Sequence, residues 1–232
     1  MKTKNALFAL CALTLAAGLA APAARAQEHP NDVRLGLYYV HYAPNADDIT
    51  GPGVPTGLNL GLEDTATLYA AYVRSITNHI AAELALGWPP LTKTVAHGPA
   101  TVGSVPYDGQ VIATARWLSP TFLVEYVFLD PESTLRPYVG LGVNYTQFYD
   151  RQSTAAGNAV SGGPTSISLP ASIGPAATVG VTYRLSERWA LHASYSAAKV
   201  HTTLTADTAG VIRTTHIDFW PLALVLSAGF SF

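Results

Sequence analysis

The chain has 232 residues, 49% of them hydrophobic and only 12% charged, with a mean hydropathy of +0.21 and a formal charge of −2. That balance excludes a basic nucleic-acid-binding protein and is too apolar for an ordinary soluble surface. The single cysteine, Cys11, excludes disulfides and thiolate metal sites.

The N-terminal segment reads as an export signal. Lys2 and Lys4 precede an apolar run from Ala6 to Ala21, and Ala24-Arg25-Ala26 is a small-x-small cleavage site. Cleavage after Ala26 removes Lys2, Lys4 and Arg25, leaving 10 Lys+Arg against 15 Asp+Glu and a formal charge of −5. The predicted organisation is therefore a cleaved signal over residues 1–26 and a single domain over residues 27–232. Beyond residue 26 no apolar run reaches the roughly 18 residues of a membrane helix. An exported, apolar chain of this kind can still cross a bilayer as a closed sheet, which pairs every backbone group between strands.

The strands follow in chain order as stretches of period two. Val33, Leu35, Leu37 and Tyr39 alternate with Arg34, Gly36, Tyr38 and Val40. Thr65–Val73 alternates less cleanly, and His79–Trp88 puts Ile80, Ala82, Leu84 and Leu86 opposite Ala81, Glu83 and Ala85. The fourth stretch, Gln110–Phe128, is longer than the roughly 9–11 residues of a crossing strand. Its Pro120 predicts a bulge or a break in pairing. Stretches around Val139–Thr146, Val179–Arg184, Trp189–Ser196 and Trp220–Phe232 complete the set. In the last, Phe232, Phe230, Ala228, Leu226, Leu224, Leu222 and Trp220 form one wholly apolar face, suited to lipid.

Short connections near residues 74–79, 129–136 and 185–188 alternate with long Gly/Pro/Thr-rich ones near 43–62, 91–108, 150–170 and 200–213. The pattern predicts an all-β fold: an eight-stranded antiparallel up-and-down transmembrane β-barrel with four long outer loops and three short periplasmic turns. Aromatic residues at strand ends, among them Trp88, Trp117, Phe148, Trp189 and Trp220, suit the bilayer interface.

Inward phasing selects the candidate functional residues. Arg34, Glu83, Glu125 and Arg184 all fall on the lumen face, where an unpaired charge is costly. They are expected to pair, as plain structural ion pairs or as a polar plug below an apolar vestibule. Tyr38, Val40, Leu123, Val127, Tyr138 and Phe219 are the candidate hydrophobic path. His192 and Ser194 share a strand face, but no orienting carboxylate or oxyanion donor can be placed beside them, so no catalytic activity is expected. The remaining histidines show no metal-ligand spacing, and no cofactor is expected.

Three stretches resemble the OmpW family of outer-membrane proteins, which includes AlkL-type hydrocarbon importers. They are Leu118-Ser119-Pro120-Thr121 leading into Val124–Phe128, then Arg136-Pro137-Tyr138-Val139-Gly140-Leu141-Gly142-Val143-Asn144-Tyr145-Thr146, and the terminal Ser227–Phe232. The second is the most specific. The resemblance implies a hydrophobic lumen and passive passage of small hydrophobic molecules across the lipopolysaccharide leaflet, with sideways release in some members. It also implies that the terminal Phe230 and Phe232 are read by the barrel-assembly machinery. The chain departs from the family pattern in its seventh strand, where His192-Ala193-Ser194-Tyr195-Ser196 replaces the lumen-facing Trp of other members. The alternative function is a non-conducting surface protein, an adhesin or a phage/colicin receptor, that uses its long loops.

Overall fold

The computed structural model describes residues 30–42, 45–102 and 104–232. Both cleavage-site residues, Ala24 and Ala26, lie outside the described residues. Eight strands close into a ring. They are β1 (Asn31–His41), β2 (Thr65–Ser75), β3 (Ile80–Gly87), β4 (Thr121–Val127), β5 (Leu135–Ser153), β6 (Ser172–Arg184), β7 (Trp189–Ala198) and β8 (Leu222–Ser231). Each pairs antiparallel with its neighbour in sequence, and β1 pairs with β8 to complete the circle. Closure leaves no unpaired edge, as a sheet in hydrocarbon requires.

The alternation read from the sequence is the alternation of exposure. Leu35, Leu37, Leu141, Val179, Leu224 and Leu226 face outward, while Arg34, Tyr38, Val40, Glu83, Leu123, Glu125, Tyr138 and Val225 are buried inside. β2 obeys the same rule, with Tyr69, Ala71 and Val73 inward and Leu68 outward. Rings gather at both ends of the outer face. Tyr126, Phe128, Trp189 and Phe232 lie toward the short turns, and Tyr39, Trp88 and Trp220 toward the long connections. The chain ends meet at the turn side, where the Asn31 and Phe232 backbones exchange N–H···O bonds of 3.2 and 2.9 Å.

The long connections differ from the expected loops, because much of their length is sheet. Val200–Thr208 and Val211–Phe219 form a hairpin closed at Ala209-Gly210, joined by Ser166–Ser168 and Asn45–Ala46. Leu91–His97 pairs with Val111–Leu118 on one side and Asn59–Leu62 on the other. β5 itself runs for 19 residues, with a bulge between Tyr149 and Gln152. At about 3.3 Å per residue that strand is roughly twice the thickness of a hydrocarbon core. The wall therefore continues beyond the membrane as a crown. Crown strands carry polar and apolar residues on both faces because neither face meets lipid, so their alternation is weak in the sequence.

Candidate functional site

The lower half of the lumen is closed by charge. Arg34 reaches three carboxylates: Nε lies 3.0 Å from Asp32 Oδ2, Nη1 donates to Glu83 Oε2 at 2.9 Å, and Nη2 lies 3.9 Å from Glu125 Oε2. Its guanidinium also stands 5.5 Å from the centre of the Tyr138 ring. The Tyr69 hydroxyl donates to Glu83 Oε1 at 2.7 Å, so both oxygens of that carboxylate are engaged. His192 packs beside the cluster, with Nε2 3.5 Å from Asp32 Oδ2 and Nδ1 3.0 Å from Thr182 Oγ1. Both Glu125 oxygens are buried without a hydrogen bond. This layer is a tightly filled polar floor, since one guanidinium and its carboxylate partners take up a width that eight strands barely enclose.

Above the floor the lumen opens into a cavity of about 150 Å³. Tyr38, Tyr69, Glu83 and Leu123 form its base, and Val40, Trp117, Phe148, Phe219 and Val225 its sides. Alanines from β6, β7 and β8, among them Ala176, Ala197 and Ala223, line the opposite wall and leave it wide. A second cavity of about 240 Å³ lies among the crown strands, and the two share Thr94 and Leu204 in their linings. An apolar passage thus descends from the crown to the charged floor.

The side wall is interrupted at the level of this cavity. The β3–β4 ladder ends at the pair Ala85–Thr121, and pairing resumes only at Leu91–Arg116. Leu86–Pro90 therefore runs beside Trp117–Pro120 without ladder bonds, and Pro89, Pro90 and Pro120 have no N–H to offer. The Arg116 side chain bridges the gap by donating to the Pro89 carbonyl at 3.0 Å. Leu86 lies on the lipid-facing register of β3, yet it also lines the cavity. At the outer rim above the spanning strands, hydrogen bonds from His41, Tyr39 and the Tyr42 N–H hold the Asp64 carboxyl down at about 2.

The OmpW family model matches residues 32–232. The chain is 31% identical over 224 residues to outer membrane protein W of Vibrio cholerae, covering 96% of this chain and 98% of that protein. The chain belongs to the OmpW family. Among solved structures this OmpW-family barrel resembles OprG of Pseudomonas aeruginosa, with a TM-score of 0.79 at 22% identity over 89% of this chain and 97% of OprG. It also resembles AlkL, with a TM-score of 0.63 at 22% identity over 91% and 95% of the two chains. Both likenesses concern the fold.

Against that frame the inward residues sort by height. Arg34, Glu83 and Glu125 lie together in the floor, and Tyr38, Val40, Leu123 and Phe219 line the cavity. Arg184 does not join the cluster. It lies at the last position of β6, and its guanidinium donates to the Pro131 and Ser133 carbonyls of a short turn. Val127 and Tyr138 do not line the cavity either. Val127 ends β4 on the turn side, and Tyr138, its cross-strand partner, lies under Arg34. Phase gives the face of a strand but not the level along it, and the level decided these three. Trp117 and Phe148, expected at the interface, point inward instead. Trp117 stands edge-on to Tyr38 in the lumen, with ring centroids 6.3 Å apart. The residues that sequence reasoning missed are Asp32, Tyr69 and His192 as members of the floor. Inward parity with Arg34 could have found Asp32.

Proposed function

We propose that this OmpW-family barrel is a passive channel for small hydrophobic molecules in the bacterial outer membrane. The observation that carries the reading is the apolar cavity, which communicates with the crown, ends on a charged floor and reaches the lipid-facing Leu86 at the proline-rich gap in the wall. An apolar solute gains by leaving water for such a lining and gains nothing by crossing the ion cluster below it. The gap supports sideways release into the membrane in preference to straight passage. No energy input, cofactor or catalytic step belongs to this reading. It also includes a signal cleaved after Ala26, insertion by the barrel-assembly machinery through Phe230 and Phe232, and a lipopolysaccharide surround for the crown.

The test is uptake of radiolabelled naphthalene by cells that express this barrel, beside cells with an insertion-competent control barrel. Faster uptake than the control is expected. Leu123→Arg should bring the rate down to the control level, because it places a long cation at the base of the cavity, where Leu123 is 4% exposed. Control-level uptake by the wild-type barrel, correctly folded, would leave the surface-receptor reading in its place.

A further inference from the structure

Tyr38 and Tyr42 bring two phenol hydroxyls to the cavity, where the smaller hydroxyls of Thr94 and Ser194 also have no hydrogen bond among the described residues. Tyr38 and Tyr42 both line it and are 9% and 6% exposed. The Tyr42 hydroxyl is buried without a partner. Among the described residues the Tyr38 hydroxyl has none either, and its ring is fixed edge-on against Tyr69 and Trp117, with centroids 6.4 and 6.3 Å away. Gly87, at the edge of the wall gap, gives this hydroxyl its room: a Cβ there would lie 2.6 Å from the Tyr38 oxygen. Most of the other polar groups in the lining are engaged. The Glu83 oxygens hold Arg34 and Tyr69, Trp117 Nε1 donates to Thr92 at 2.8 Å, and the Asn144 amide donates to Ser119 and Thr121.

We propose that the cavity selects neutral ring compounds that carry one hydroxyl group, and that Tyr38 is the specificity-determining residue that grips this group beside the wall gap. The proposal rests on the transport reading above and deepens it. A bare hydrocarbon seated against the Tyr38 hydroxyl excludes water and leaves it unpaired, a cost that a bound hydroxyl avoids. An apolar lining alone separates two molecules of equal shape poorly, whereas a hydrogen-bonding group within it rejects the analogue that lacks the matching group. The rings of Tyr38, Tyr69 and Trp117 on one side and alanines on the other suit a flat cargo. The cavity offers no free cation to an anion, and Glu83 at its base repels one.

The experiment is equilibrium dialysis of 2-naphthol and of 2-methylnaphthalene, near-isosteric molecules, against the full barrel in lipid nanodiscs, with empty nanodiscs subtracted. Wild-type protein should hold 2-naphthol up to about tenfold more tightly than 2-methylnaphthalene, the ratio one net hydrogen bond provides. Tyr38→Phe should collapse that ratio toward one. Equal binding of the two by the wild type overturns the selectivity while leaving a hydrophobic channel in place, and it does so whether or not the variant folds. A ratio that survives in folded Tyr38→Phe overturns the assignment to Tyr38. Binding of neither compound overturns both this proposal and the transport reading.

Discussion

Arg34 lies inside the barrel with three carboxylates around it, and the energetic consequence is asymmetric. Asp32 and Glu83 are within 3.0 Å of its nitrogens, so its removal would leave the buried Glu83 and the partly buried Asp32 without their counterion and a third carboxylate, Glu125, without its nearest one. Breaking a buried pair from one side costs about 3–5 kcal/mol, because the remaining charge stays desolvated. Arg34→Met should therefore lower the urea unfolding free energy of the refolded barrel by about that amount. Glu125→Gln should change it by less than about 1 kcal/mol, because Glu125 makes no hydrogen bond and adds to an excess of negative charge. Urea titrations in one micelle system, followed by tryptophan fluorescence, compare the two. Equal losses would mean that the floor is held by packing and not by the Arg34 pairs. Alternation was enough to put Arg34, Glu83 and Glu125 on the inward face. It could not separate them from Arg184, which shares their parity but lies at the turn end of its strand.

Strand continuity is governed by where N–H groups are missing. Pro120 alone signalled an interruption in the sequence. Its effect adds to that of Pro89 and Pro90, which lie a few residues further along the facing segment, between the last β3–β4 pair at Ala85–Thr121 and the next pair at Leu91–Arg116. Three losses of donor capacity on the two facing segments open the ladder where a single one would leave a bulge. The triple variant Pro89→Thr, Pro90→Thr, Pro120→Thr should close that stretch. Amide exchange around Leu118 to Thr121 should slow by at least about tenfold, corresponding to one or more net hydrogen bonds, and naphthalene uptake should fall with it. Slower exchange with unchanged uptake would move the exit away from the gap. The crown hairpins escaped sequence reading for the opposite reason. Their strands are regular, but without lipid on one side no face needs to be wholly apolar.

At the scale of the whole molecule, the floor and the cavity divide the lumen into a closed half and an open half. A barrel of eight strands has an interior that side chains nearly fill, and here the fill is polar toward the turns and sparse toward the crown. Wild-type protein in a planar bilayer should therefore pass almost no ion current. Replacing the floor with Arg34→Ala, Glu83→Ala and Glu125→Ala together should produce steady single-channel conductance at least about tenfold above the wild-type background, by removing the groups that fill the waist. A silent triple variant that is folded and inserted would place the seal elsewhere in the lumen.

The class of this protein was legible in its residue pattern alone. A strand has period two, so an apolar face that recurs along the chain, with alternating short and long connections, dictates a membrane barrel and the inward or outward sense of most side chains in the spanning strands. The same pattern determined Pro120 as a break and the inward face of Tyr38, Val40, Leu123 and Phe219. Height along the barrel axis came from the folded arrangement. Register between neighbouring strands set which inward residues share a level, gathering Asp32, Arg34, Glu83, Glu125 and His192 into one floor and leaving Arg184 and Val127 at the turn end. Local periodicity carries no information about that offset. It is fixed by hydrogen bonds between residues far apart in the chain, and ring closure allows them one common solution.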